Sequence, residues 1–304
     1  MQKQLVANLI AISTLAFLTG CGGGGNAPAT GKAAINIPAS GTGNTVSSLP
    51  APELPPGQTE IDASKCFNAE LFVPGSVHTV TQKIRTPLDG SGTAEIQITS
   101  TFGQPTTYNQ NSVNLVNETA LFTPGTTTPN ADVANTTTTQ RYVTASASKL
   151  SVRHYGYNSS TQTTNSTANP TLTGSPFTPY IEIQFALQFG RTNTQSFIAA
   201  SRTTNPDGSF KDITNNYTMT DLFAGVEAVT VPAGTFQACR FESTITYTPV
   251  PFVAGVAPRV MAPLTNWYGI KNGLLIKSAT VENGGQTVLS QLKSATINGV
   301  AVTP

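Results

Sequence analysis

From about residue 64 onward, apolar and polar residues alternate with a period of two, the mark of strands buried on one face. The longest run is Tyr180 to Phe189, where Ile181, Ile183, Phe185, Leu187 and Phe189 oppose Glu182, Gln184 and Gln188. Thr93–Thr99 repeats the pattern, with Ala94, Ile96 and Ile98 set against Glu95 and Gln97. Between Phe236 and Thr248, Cys239, Phe241, Ile245 and Tyr247 share a face opposite Arg240 and Glu242. Weaker strand candidates cover 77–86, 112–122, 140–154, 195–203, 225–231, 274–282 and 286–298. Asn205-Pro206-Asp207-Gly208 and Pro232-Ala233-Gly234-Thr235 read as turns between strands. Two stretches rich in Thr, Asn and Pro, about 123–139 and 158–179, read as longer loops. No long amphipathic helix interrupts the series. The expected fold is all-β and mainly antiparallel: a single curled sheet, as a half-barrel or incompletely closed barrel, with few or no helices.

The first 63 residues differ in kind. Lys3 precedes a mostly apolar run, Leu5 to Leu18, of 14 residues. A spanning helix needs about 20, so the run reads as an export signal that is removed. Gly22 to Ala63 is built from Gly, Ala, Pro, Ser and Thr with almost no apolar periodicity, and cannot bury enough surface to offset its ordering entropy. The chain therefore divides into a signal (1–20), a flexible tether (21–63) and a β-rich domain (64–304). As a coil the tether spans roughly 35 Å, and about 140 Å when pulled straight.

Leu18-Thr19-Gly20-Cys21 closes the signal with small residues and a cysteine. These four residues resemble the lipobox of bacterial lipoproteins. The resemblance implies cleavage before Cys21, a diacylglycerol on its thiol and acylation of the new amino terminus, so that lipid holds the chain to a membrane. Several chains bind firmly where one binds marginally. In that family aspartate after the cysteine favours the inner membrane. Gly22 stands here, so the resemblance favours the outer membrane.

Charge narrows the partners. The chain has 16 basic and 15 acidic residues, and only 10% of its residues are charged. No basic field exists to gather nucleic acid, and few groups remain for acid–base work. Besides Cys21 there are two cysteines, Cys66 and Cys239. In an oxidising compartment they read as one disulfide, with two separate buried thiols as the alternative. The two histidines, His78 and His154, lack the spacing and carboxylate neighbours of a metal site and are expected to face solvent. Asp207 and Asp212 flank a turn without the closing glutamate of a calcium loop. No nucleophile elbow, phosphate loop or zinc-binding histidine pair occurs. No catalytic residue, metal or cofactor is expected.

Val229-Thr230-Val231-Pro232-Ala233-Gly234-Thr235-Phe236 and Trp267-Tyr268-Gly269 to Lys277 resemble a hairpin and following strands in uncharacterised proteobacterial envelope proteins. The resemblance covers residues 225–280. It implies a curled sheet similar to periplasmic lipoprotein carriers, and the usual Pro-Gly after Trp-Tyr is missing. Phe236, Trp267 and Tyr268 are then expected to line either a core or a pocket. The leading reading is a lipid-anchored, non-enzymatic envelope lipoprotein that binds an apolar ligand, a lipid or an envelope protein. A surface-exposed structural or interaction module is the alternative, and a hydrolase with an unrecognised site comes third.

Overall fold

The computed structural model describes residues 45–46, 62–85, 93–124, 134–250, 257–281 and 287–304. Cys21 and most of the expected signal and tether lie outside the described residues. Fifteen strands form one sheet. They are β1 (Thr45–Val46), β2 (Val77–Arg85), β3 (Thr93–Tyr108), β4 (Asn111–Thr123), β5 (Asn135–Ser146), β6 (Ser151–Thr163), β7 (Thr171–Gln184) and β8 (Thr192–Thr204). Then follow β9 (Phe210–Val231), β10 (Gly234–Pro249), β11 (Arg259–Val260), β12 (Leu264–Gly269), β13 (Leu275–Val281), β14 (Thr287–Ile297) and β15 (Val300–Ala301). Two 3₁₀ turns, Ser64–Cys66 and Ala69–Phe72, precede β2.

The expected all-β antiparallel sheet is what forms, and it joins end to end into a ring. From β2 to β10 each strand pairs with the next in sequence; β10 then pairs with β12, and β12, β13 and β14 follow in order. The last of these, β14, pairs with β2 from Leu289↔Arg85 to Ile297↔His78. Twelve strands thus make a closed barrel, with β1, β11 and β15 as short additions. Closure gives each of the twelve a neighbour on both sides, which removes the exposed edges of an open sheet.

Several expected boundaries move. The stretch 158–179 is largely strand, since β6 runs to Thr163 and β7 starts at Thr171; in 123–139 strand returns at Asn135, and residues 125–133 lie outside the described residues. Thr and Asn mark loops in an isolated sequence, but β-branched Thr also suits a pleated surface with partners on both sides. Thr137 and Thr161 share a hydroxyl hydrogen bond at 3.0 Å across β5 and β6. The run from Tyr180 to Phe189 is strand only as far as Gln184. Phe185 and Leu187 leave the ladder because they are buried against Cys66, Cys239, Phe223 and Tyr268. Glu182, expected on a solvent face, is 1% exposed and pairs with Arg153 at 2.8 Å. The β6–β7 register slips at Gly156, where a Cβ would lie 2.7 Å from the Ser175 carbonyl oxygen, so only glycine fits.

The core lies on the inward face. On β3 and β4, Ile96, Ile98, Ala120 and Phe122 are buried at alternate positions and pack with Ile84 of β2. Near the start of β10 both faces are covered. Phe236 and Ala238 pack with Trp267, Ile276 and Leu292, while Cys239 and Phe241 face the other way. The turn between β9 and β10 folds onto β14, and the Ala233 N–H donates to the Leu292 carbonyl at 3.1 Å.

Cys66 and Cys239 are joined in a disulfide, 173 residues apart in sequence. The bond pins the 3₁₀ segment to β10. That segment is also held by the Ala63 N–H on the Leu187 carbonyl (3.2 Å) and the Lys271 N–H on the Lys65 carbonyl (2.8 Å). A loop this long loses much chain entropy on closure, about 5 kcal/mol in the loop-entropy model. Replacing both cysteines by serine is expected to lower unfolding stability by about 2–5 kcal/mol in urea titrations. A variant as stable as the parent would contradict that role.

Candidate functional site

Inward positions also carry polar side chains, and the register gathers several of them. His78 of β2 lies opposite Ser100 of β3, Ser100 opposite Glu118 of β4, and Glu118 opposite Thr139 of β5. Two residues along β5, Arg141 lies opposite Tyr157 of β6, which lies opposite Ser175 of β7. The centre of this band is an ion pair. The Arg141 guanidinium donates to Glu118 Oε1 at 2.9 Å, with 10% and 8% of the two side chains exposed. The Ser100 hydroxyl donates to Glu118 Oε2 at 3.3 Å, and the hydroxyls of Ser175 and Ser201 meet at 2.7 Å. An ion pair withdrawn from water is tolerated only when further hydrogen bonds satisfy it.

Neither histidine sits as expected. His154 is 8% exposed, and His78 is part-buried with Nδ1 lacking a hydrogen-bond partner. Burial first, then the charge of Arg141, lowers His78 to about 4 and His154 to about 3. Both are therefore neutral at pH 7. Burial likewise pushes the Tyr157 phenol up to about 12, against an opposing pull from Arg141. Sequence reasoning missed the grouping because histidine, arginine and glutamate come from separate strands. The available signal was that Glu118 and Arg141 occupy core-facing positions of alternating strands.

A second polar group lies across β8, β9 and β10. Asn193 is opposite Asp221, and Asp221 is opposite Ser243. The Ser243 hydroxyl donates to Asp221 Oδ1 at 2.6 Å. Burial raises the Asp221 carboxyl to about 6, with hydrogen bonds from Ser243 and Gln195 opposing the shift.

The remaining expected site residues are accounted for individually. Phe236, Trp267 and Tyr268 are 3%, 8% and 6% exposed and belong to core clusters. The Trp267 indole N–H donates to Glu227 at 2.6 Å, and Lys277 lies 4.6 Å from the centre of its ring. Asp207 accepts from the Ser209 N–H and hydroxyl within its turn, and Asp212 forms a bidentate pair with Arg202. Both carboxylates therefore serve local structure. Among the described residues, no three or more His, Cys, Asp or Glu side chains are grouped to hold a metal ion.

No protein-family model matches this chain, and no curated protein matches it. Solved structures similar to it include a protein assigned as a lipoprotein from Parabacteroides distasonis (TM-score 0.35, 12% identity, covering 79% of this chain and 100% of that one). A Bacteroides fragilis protein of YmcC-like fold, assigned as exported, has a TM-score of 0.34 and 13% identity, covering 78% and 99% of the two chains. A β-barrel-like protein of the DUF1849 domain from Brucella abortus has a TM-score of 0.36 and 10% identity, covering 74% and 99%. At similarities this low these likenesses carry no argument about function.

The buried groups set a pH dependence. His78 and His154 titrate at 6.5 when unperturbed and lower in the fold. Their contribution is complete above pH 6.5 and is lost as pH falls toward 4 and 3, at about 1.4 kcal/mol per histidine per pH unit. Asp221 acts oppositely, because its folded value is raised from 3.8 to about 6. Its contribution is complete below 3.8 and is lost as pH rises through 6. Unfolding stability is therefore expected to drop between pH 7 and pH 4.5. His154→Gln should shrink that drop and Asp221→Asn should enlarge it. Equal drops in the parent and both variants would contradict these assignments.

Proposed function

We propose that this chain is a lipid-anchored lipoprotein of the bacterial envelope, held by Cys21, whose barrel works without catalysis by contact through its outer surface with another envelope component. The observation that carries the outer-surface reading is burial of the inward face. Ile96, Ile98, Ser100 and Phe102 of β3 are each 5% exposed or less, and Thr137, Thr139, Arg141 and Val143 of β5 are each 9% or less. A solvent-filled lumen at these positions would leave them wet. An apolar guest would have to displace side chains already packed there, including the disulfide-held segment. This favours the interaction module over the carrier.

The outward face supports contact with an uncharged or weakly charged partner. Thr79, Thr99, Thr119, Thr138 and Ser160 stand opposite one another in a single row from β2 to β6. Thr194–Thr220 and Ser196–Thr218 form similar hydroxyl pairs across β8 and β9. Such hydroxyl rows present donors and acceptors with little net field. The anchor reading rests on Leu18-Thr19-Gly20-Cys21, and Gly22 favours the outer membrane.

Two measurements test the proposal. In a bacterial host, Cys21→Ala is expected to lose palmitate labelling and to move the protein from the membrane to the soluble fraction; retention in the membrane would contradict the anchor. Native mass spectrometry of the released barrel is expected to give the bare polypeptide mass. A stoichiometric bound lipid would overturn the outer-surface reading and restore the carrier.

A further inference from the structure

The β7–β8 ladder stops well short of the start of β8, and the local sequence accounts for it. β7 pairs with β8 from Leu172↔Thr204 to Thr178↔Ile198. The next residue, Pro179, has no N–H with which to continue a ladder. Beyond it, Ile181–Gln184 remain paired with β6. Across the gap, the Gln195 carboxamide takes the place of a strand. The Glu182 N–H donates to Gln195 Oε1 at 2.7 Å, and Gln195 Nε2 donates to the Glu182 carbonyl at 2.8 Å.

β8 itself runs on to Thr192, paired with β9 along its other edge. Its edge toward the gap would therefore present unpaired backbone groups, an arrangement that invites strand addition. Two residues far back in the sequence meet it: Thr45 lies opposite Thr194 and Val46 opposite Asn193, antiparallel. Beside this pairing the Asn193 side chain is 1% exposed, and neither of its amide atoms has a hydrogen-bond partner. That side chain points into the barrel, on the same face as Asp221, and takes no part in the pairing.

We propose that the break between β7 and β8 is a strand-binding slot, and that its occupant is the segment around Thr45–Val46 of the same chain. Main-chain pairing at an exposed edge is an established mode of peptide recognition. Connectivity suits an occupant in cis. Asp62 bridges Gln188, which stands five residues before Asn193. The 15 residues between Val46 and Asp62 reach at most about 50 Å, enough to turn back from that bridge to the slot. The segment then covers part of the β8 edge that β7 leaves open. Where the chain is anchored at Cys21, docking shortens the free leash to the 23 residues before Thr45, roughly 26 Å as a coil. Slot binding itself does not depend on the anchor.

The test uses the full chain. Thr45→Cys with Thr194→Cys is expected to form an intramolecular crosslink on mild oxidation, found by peptide mass spectrometry in the monomer. The control pair Thr45→Cys with Thr220→Cys, one strand further on, should crosslink at least tenfold less. Equal yields from the two pairs would show a segment that wanders, and crosslinks found only in dimers would assign the slot to a second copy; either overturns the proposal. In a second arm, Thr45→Pro removes the N–H that faces Thr194 across the ladder. Amide exchange over residues 190–197 is expected to speed at least tenfold while 113–119 of β4 stays unchanged. Unchanged exchange over 190–197 overturns the proposal.

Discussion

The pairing of β14 with β2 is the constraint on which the rest of the molecule depends. Lys83 and Gln291 face each other across that ladder, with most of the domain between them in sequence. Without this contact the strands would form an open sheet with two long edges, and its inner face would be wet. With it, period-two alternation acquires a fixed meaning, because every inward position on the twelve strands looks into one enclosed space. The free energy of closure is mainly that of the apolar surface it removes from water, about 25 cal/mol per Å². Contacts so distant in sequence are slow to form, and the Cys66–Cys239 bond, once made, restricts the unfolded chain over a comparable distance.

Enclosure also explains the chemistry of the interior. Arg141 and Glu118 would be ordinary surface residues on an open sheet; inside the barrel they hold each other, with Ser100 completing the carboxylate's bonding. The same low-polarity surroundings keep His78 and His154 neutral and favour the protonated form of Asp221. These groups tie the stability of the fold to pH. They also make the interior a place of closely packed, buried side chains, which is why the proposed role lies on the hydroxyl-rich outside.

Much of this architecture can be read along the chain, and the remainder fails for identifiable reasons. The alternation of Ile96 and Ile98, or of Cys239, Phe241 and Ile245, marks strands and their buried face directly. Closure cannot be read that way, since hydropathy indicates which face of β2 is buried and not which strand lies beside it. Thr136–Thr139 resembles a loop in sequence because threonine serves loops and strands equally; two flanking strands decide the matter. Phe185 and Leu187 continue a strand pattern, but packing around the disulfide draws them out of the ladder. Glu182 and His154 carry polar side chains, yet ion pairing and enclosure bury them. Of the candidate residues, Phe236, Trp267 and Tyr268 are identifiable by type as core or pocket, whereas the Glu118–Arg141 band emerges only when the register is known.

The central claim is that the sheet is a closed ring with its inward face sealed. Residue-resolved amide hydrogen exchange along Val77–Arg85 and Thr287–Ile297 tests it most directly, with β4 and β5 as interior references. A closed ring predicts that amides on both edges of β2 and β14 exchange as slowly as those of the references. Fast exchange confined to the facing edges of β2 and β14 would show an open sheet, and would contradict both the sealed interior and the function drawn from it.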